Sequence, residues 1–103
     1  MITIKGTVGS SGKYLVTSIP VGGNLNALLK ITFENNTSGT NLALCAGSAA
    51  DFQAGKCGIA LSDSGGPGFQ FLTIINAGQL SGHLIYVLRQ VGTADSNFTI
   101  NME

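Results

Sequence analysis

From Leu25 to Phe33 every second residue is apolar: Leu25, Ala27, Leu29, Ile31 and Phe33 fall on one side of an extended chain. A period of two over that length predicts a β-strand with one buried face. The same rhythm, punctuated by glycine, proline and asparagine, recurs along the whole chain. The first strand is Ile2 to Val8, with Ile2, Ile4 and Val8 on one face, and Gly9-Ser-Ser-Gly12 turns the chain. The second is Lys13 to Ile19, closed by Pro20-Val-Gly-Gly23. After Leu25 to Phe33 come the loop Glu34 to Gly39 and a fourth strand, Asn41 to Ala46.

Between Gly47 and Lys56 the period is lost, and this stretch reads as a long surface loop in which Ser48 could cap a single helical turn. A fifth strand, Cys57 to Leu61, precedes the turn-dense Ser62-Asp-Ser-Gly-Gly-Pro-Gly68. Strands six to eight are Phe69 to Ile75, Gly82 to Gln90 and Ser96 to Met102. Eight short strands with turn signals every eight to twelve residues predict one all-β domain over residues 1–103, a single antiparallel β-sandwich of jelly-roll type. The expected core joins Leu25, Leu29, Ile31 and Phe33 with Phe69, Phe71, Tyr86 and Phe98.

Composition sharpens this picture. Only 10% of the 103 residues are charged, five basic against five acidic, while 44% are hydrophobic and 7% aromatic. Ordinary domains carry about 25% charged residues, so this surface is built from Ser, Thr, Asn, Gln, Gly and backbone. So few cations cannot displace many phosphate counterions, which argues against nucleic acid and against anionic lipid. The apolar runs, such as Leu72 to Ile75, are far shorter than the roughly 20 residues of a membrane-spanning helix, so membrane insertion is not expected. Ile2 to Val8 has neither the basic nor the apolar region of a signal peptide. The expectation is a product starting at Met1.

Cys45 and Cys57 enclose eleven residues that include Gly47, Gly55 and four alanines, flexible enough for the thiols to meet. In an oxidising compartment a bridge there would contribute about 3 kcal/mol. Two unpaired core cysteines are the alternative. A zinc site would need more ligands than two thiols and His83 provide.

From Tyr14 onward the order of features resembles the bacterial pre-peptidase C-terminal domain, a small jelly-roll sandwich often appended to secreted proteases. Lys13-Tyr-Leu-Val16 followed by Ile19-Pro-Val-Gly-Gly23 is similar to the opening strand and turn of that family. Asn41-Leu-Ala-Leu44 stands where the family writes Asp-Leu-Asp-Leu, and Ser62-Asp-Ser64 before Phe69-Gln-Phe71 resembles its Ser-rich turn and next strand. Ser81-Gly-His-Leu-Ile-Tyr-Val87 and Asn97-Phe-Thr-Ile100 resemble its last two strands. The likeness implies a secreted binding module for polysaccharide or a matrix protein. Asn41 and Ala43 replace the aspartates of the family's strand, which removes the acids a calcium role would use.

Asp63-Ser-Gly-Gly-Pro67 is similar to the nucleophile motif of chymotrypsin-like proteases, with Ser64 as the attacking residue. Its context fails, because that chemistry needs a histidine and an orienting carboxylate, and the only histidine, His83, follows Ser64 where that family places it earlier. His83 reads as a polar strand residue and Ser64 as part of a Gly-Gly-Pro turn. Asp51, Asp63 and Asp95 fall in loops without the acid density a calcium site requires. No catalytic residue, metal or cofactor is therefore expected. Tyr14 and Phe52 are the two aromatics left over from the core, candidates for an exposed ligand surface.

The expected function is a non-catalytic structural subunit, such as a virion decoration protein or extracellular filament unit. It would pack through uncharged β surfaces against copies of itself or a host protein lattice, with Ile2, Ile4 and Val8 marking the assembly edge.

Overall fold

The computed structural model describes residues 1–22, 27–62 and 70–103. Within these residues eight strands run antiparallel in two sheets: β1 (Ile2–Val8), β2 (Lys13–Ser18), β3 (Leu28–Asn35), β4 (Asn41–Gly47), β5 (Ile59–Ala60), β6 (Gln70–Asn76), β7 (Leu84–Val91) and β8 (Ser96–Met102). One sheet has the order β1-β8-β3-β6 and the other β2-β7-β4-β5. Each sheet takes strands alternately from both halves of the chain, which is the double Greek key of a jelly roll. Leu25, Phe69 and the Asp63–Pro67 motif with Ser64 lie outside the described residues.

Alternation along each strand decides what is buried. Val8, Ile31, Phe33, Phe98 and Ile100 from the first sheet meet Leu42, Leu44, Ala46, Ile85 and Val87 from the second, all nearly inaccessible to solvent. Tyr14 closes one side edge-to-face on Phe98, with ring centroids 5.1 Å apart, and Phe33 lies 6.2 Å from the same ring. Gly6 is required beneath this cluster, since a Cβ there would sit 2.7 Å from the Phe98 Cζ. The polar groups enclosed with the core are satisfied. Asn35 donates from Nδ2 to the Thr40 carbonyl at 2.8 Å and accepts from the Thr37 amide, and the Ser62 hydroxyl accepts from the Leu44 amide.

Several expectations are corrected. Residues 47–56, expected as a loop with at most one helical turn, contain the six-residue helix α1 (Ala49–Ala54). Ser48 caps it by accepting from the Asp51 amide, while the Asp51 carboxylate accepts from the Ser48 amide, a reciprocal capping box. The fifth strand shrinks to two residues because Leu61 and Ser62 both donate to the Leu44 carbonyl, which breaks the ladder. The third strand continues to Asn35, paired with β8. The seventh starts at Leu84, since Gly82, at φ +76, still belongs to a turn in which the His83 amide donates to the Leu80 carbonyl.

The expected core also divides. Tyr86 does not face inward with Phe33 and Phe98. It belongs to a second cluster on the opposite face of its sheet, with Ala43, Cys45 and Leu88, under Phe52, Cys57 and Leu84. Both faces of β7 are apolar, so the pattern could not say which one met the other sheet. Phe71 is only half-buried, because β6 stands at the rim of its sheet.

Candidate interaction surface

The second cluster explains why sheet β2-β7-β4-β5 offers little free face. The excursion carrying α1 folds over β4 and β7 and is tied down at three points. Cys45 and Cys57 are joined in a disulfide with Cα atoms 5.3 Å apart. Phe52 packs edge-to-face on Tyr86 at 5.3 Å, and the Tyr86 hydroxyl donates to the Lys56 carbonyl and accepts from the Gly58 amide. Burial holds the Tyr86 phenol above its ordinary value, a nearby Asp51 carboxylate adds to the rise, and the Gly58 amide opposes it.

Beside α1 lies an open cleft of about 640 Å³, lined by Ser11, Lys13, Gln53, Leu88, Arg89 and Gln90 among others. Its two cations have structural duties. Lys13 donates from Nζ to the Gln53 carbonyl at 2.7 Å, on the last turn of the helix, and stands 5.3 Å over the Phe52 ring. Arg89 reaches the carbonyls of Val8, Gly9 and Ala94 with Nη1 and that of Gly92 with Nε. One guanidinium thereby stitches the β1–β2 turn to the β7–β8 turn.

Among the described residues no element covers the outer face of the other sheet. Toward β1 that face is polar: Thr3 donates to the Asn101 side chain and Thr7 to that of Asn97, both at 2.7 Å, and Asn36 donates to the Thr99 hydroxyl. Toward β6 it turns apolar. Leu28, Leu72 and Ile74 are 68%, 57% and 63% exposed, neighbours on two paired strands. Lys30 stands among them, in a solvent-exposed ion pair with Glu103 at 3.8 Å.

The residues singled out from sequence are distributed as follows. Ile2, Ile4 and Val8 share a face, exposed, half-buried and buried in turn, on a strand that among the described residues pairs with β8 alone. Tyr14 and Phe52 do not stand free as flat platforms, since each is half-buried and turned edge-on to another ring. They are far apart in role, one closing the main core and the other the second cluster. His83 bonds through Nδ1 to the Ser81 carbonyl. Asp51 caps α1 and Asp95 is exposed. Among the described residues no three acidic, His or Cys side chains gather as a metal site, and no helix is long and apolar enough to cross a membrane. Sequence reasoning missed the β6 rim and the Arg89 stitch. The first could have been suspected from Gln70–Asn76, a strand without a charge, glycine or proline.

Compared with known protein families, with curated proteins and with solved structures, the chain matches none.

Proposed function

We propose that the chain is a non-catalytic assembly subunit, of the kind that decorates a virion or builds an extracellular filament, packing through uncharged β surfaces against copies of itself or a host lattice. The observation that carries this reading is the cluster of Leu28, Leu72 and Ile74, large apolar side chains left on an otherwise finished sheet face. Each buried methylene recovers about 0.8 kcal/mol, so such a cluster favours a partner over water. With ten formal charges in 103 residues, repulsion does little to oppose close approach.

The test is sedimentation velocity and light scattering from micromolar to millimolar protein, at low and high salt. Association is expected to persist in high salt, because screening acts on charges that are scarcely present. A protein that stays monomeric throughout, with no lattice partner, removes the assembly reading. The second reading, a secreted module like the pre-peptidase C-terminal domain, is favoured by the polar cleft beside α1. Polysaccharide binding that is lost on mutating Gln53 and Gln90 would establish it.

A further inference from the structure

An unpaired strand edge offers its neighbours a row of N–H and C=O groups, and proteins usually blunt such edges with charge, a bulge or brevity. Among the described residues four strands lie at sheet edges: β1, β2, β5 and β6. β1 carries Lys5 and Gly6 at its centre, β2 carries Lys13 and a register break between Leu15 and Thr17, and β5 is two residues long. β6 has none of these devices. It runs seven residues in unbroken register with β3 and has no charge, glycine or proline.

The hydrogen bonds say which groups of β6 are free. The Ala77 amide donates to the Ala27 carbonyl, in continuation of the β3–β6 register, while Lys30 exchanges both its backbone bonds with Glu103 on the other side of β3. In an antiparallel ladder the bonded residues alternate. Phe71, Thr73 and Ile75 therefore bond to β3, and Gln70, Leu72, Ile74 and Asn76 turn their amides and carbonyls to the rim, which no described strand pairs.

We propose that β6 pairs antiparallel with β6 of a second copy about a two-fold axis through Thr73, joining two four-stranded sheets into one of eight. The inference rests on the assembly reading above and names its partner and contact. In that register all seven residues are paired, and any other two-fold centre shortens the overlap. Leu72 falls opposite Ile74 of the second copy, so the two exposed apolar side chains cover each other twice across the axis. Gln70 falls opposite Asn76. The Gln70 amide donates to Glu34, leaving its oxygen to accept, and the Asn76 oxygen accepts from Gly78, leaving its amide to donate. Apolar meets apolar, donor meets acceptor, and the same residues that present free backbone supply both. A contact confined to one strand is smaller than the roughly 1,600 Å² of a standard stable interface, so the pairing is weak and reversible for an isolated pair.

Two variants test it together. Ile74→Lys places a charge on the rim at a site already exposed, and is expected to abolish the association seen by sedimentation velocity while leaving the melting temperature where it was. Leu72→Cys mixed with Ile74→Cys is expected to form an intersubunit disulfide under mild oxidation. The bonded pair brings Cα atoms to about 5.5 Å, within disulfide reach. Neither cysteine variant alone should cross-link well, because like residues sit diagonally, roughly 7–8 Å apart. Wild-type association that survives Ile74→Lys, with cross-links no richer in the mixture than in the separate samples, overturns the β6 pairing and leaves the assembly reading standing. A wild-type protein monomeric to millimolar concentration overturns both.

Discussion

The hydroxyl of Tyr86 donates to the carbonyl of Lys56 at 2.5 Å, across thirty residues of chain, and so ties the outer excursion to one of the two central strands of its sheet. It also accepts from the Gly58 amide, so one phenol satisfies both sides of the segment that leads into β5. Tyr86→Phe keeps the ring against Phe52 but leaves these two backbone groups without their partner. A loss of about 1–3 kcal/mol is expected, read by denaturant unfolding.

The same phenol predicts a pH dependence. Tyr86 titrates above its ordinary value of 10.0 in the folded protein, chiefly because burial disfavours the phenolate. The folded state therefore holds its proton longer than the unfolded chain does. This contribution is complete below the unfolded value and is lost as pH rises through the folded one. The stability difference between wild type and Tyr86→Phe should be constant near neutrality and shrink above about pH 10. Melting curves of the two proteins through the alkaline range measure it, and a constant difference to the alkaline limit would contradict the assignment.

The Cys45–Cys57 bridge holds a helix that could not stand alone. A six-residue helix is too short to be stable in water, and none of the residues of α1 is fully buried. Reduction releases a loop whose closure is worth about 3 kcal/mol, which corresponds to roughly 12–24 °C in a domain of this size. The expected signature is a lowered melting temperature together with faster amide exchange across Ala49–Ala54. Exchange in β8, which lies in the other sheet, should remain slow at temperatures below the new transition.

Much of the architecture was legible because half-buried strands advertise themselves. The limits of β1 and β8 follow from alternation alone, since each has one face on the core and one in water. β4 hides its faces, being buried on both sides from Leu42 to Gly47, and what covers its outer side is a helix that comes later in the chain. Tyr86 was misplaced for the same reason: Leu84, Tyr86 and Leu88 are as apolar as Ile85 and Val87, and only the disulfide and Phe52 show that the outer set has its own cover. Phe71 points the way its period demands yet is half-exposed, because edge position is a property of topology. The candidate surface was still less legible. That Leu72 and Ile74 share an open rim, and that Arg89 serves two turns, depends on pairings between strands far apart in sequence.

Phe98 is the better probe of the main core than Phe71. It is 1% exposed, packs on both Tyr14 and Phe33, and covers Gly6. Phe98→Ala should cost about 3–5 kcal/mol, a large part of the stability of a small domain, and Phe71→Ala distinctly less. Gly6→Ala approaches the same ring from below and should cost about 1–3 kcal/mol through overpacking. Combining Gly6→Ala with Phe98→Leu gives the added methyl room, so the double variant is expected to lose less than the sum of the two single changes. Additive losses in that denaturation cycle would mean that Gly6 is needed for some reason other than the ring above it.

Arg89 offers the last test, because its role is unusual for a cation on so lightly charged a protein. Its guanidinium spends its charge on four carbonyl oxygens, those of Val8, Gly9, Gly92 and Ala94, all at 3.1–3.2 Å. A lysine ammonium is a point charge that cannot span two turns as a planar fork does. Arg89→Lys should therefore behave much like Arg89→Met, each losing about 1–3 kcal/mol as carbonyl groups go without their charged donor. The loss should be local first, with hydrogen exchange accelerating in residues 9–12 and 92–95 before the strands open. Rescue by lysine to wild-type exchange and stability would show that charge alone suffices, and that the fork geometry is incidental.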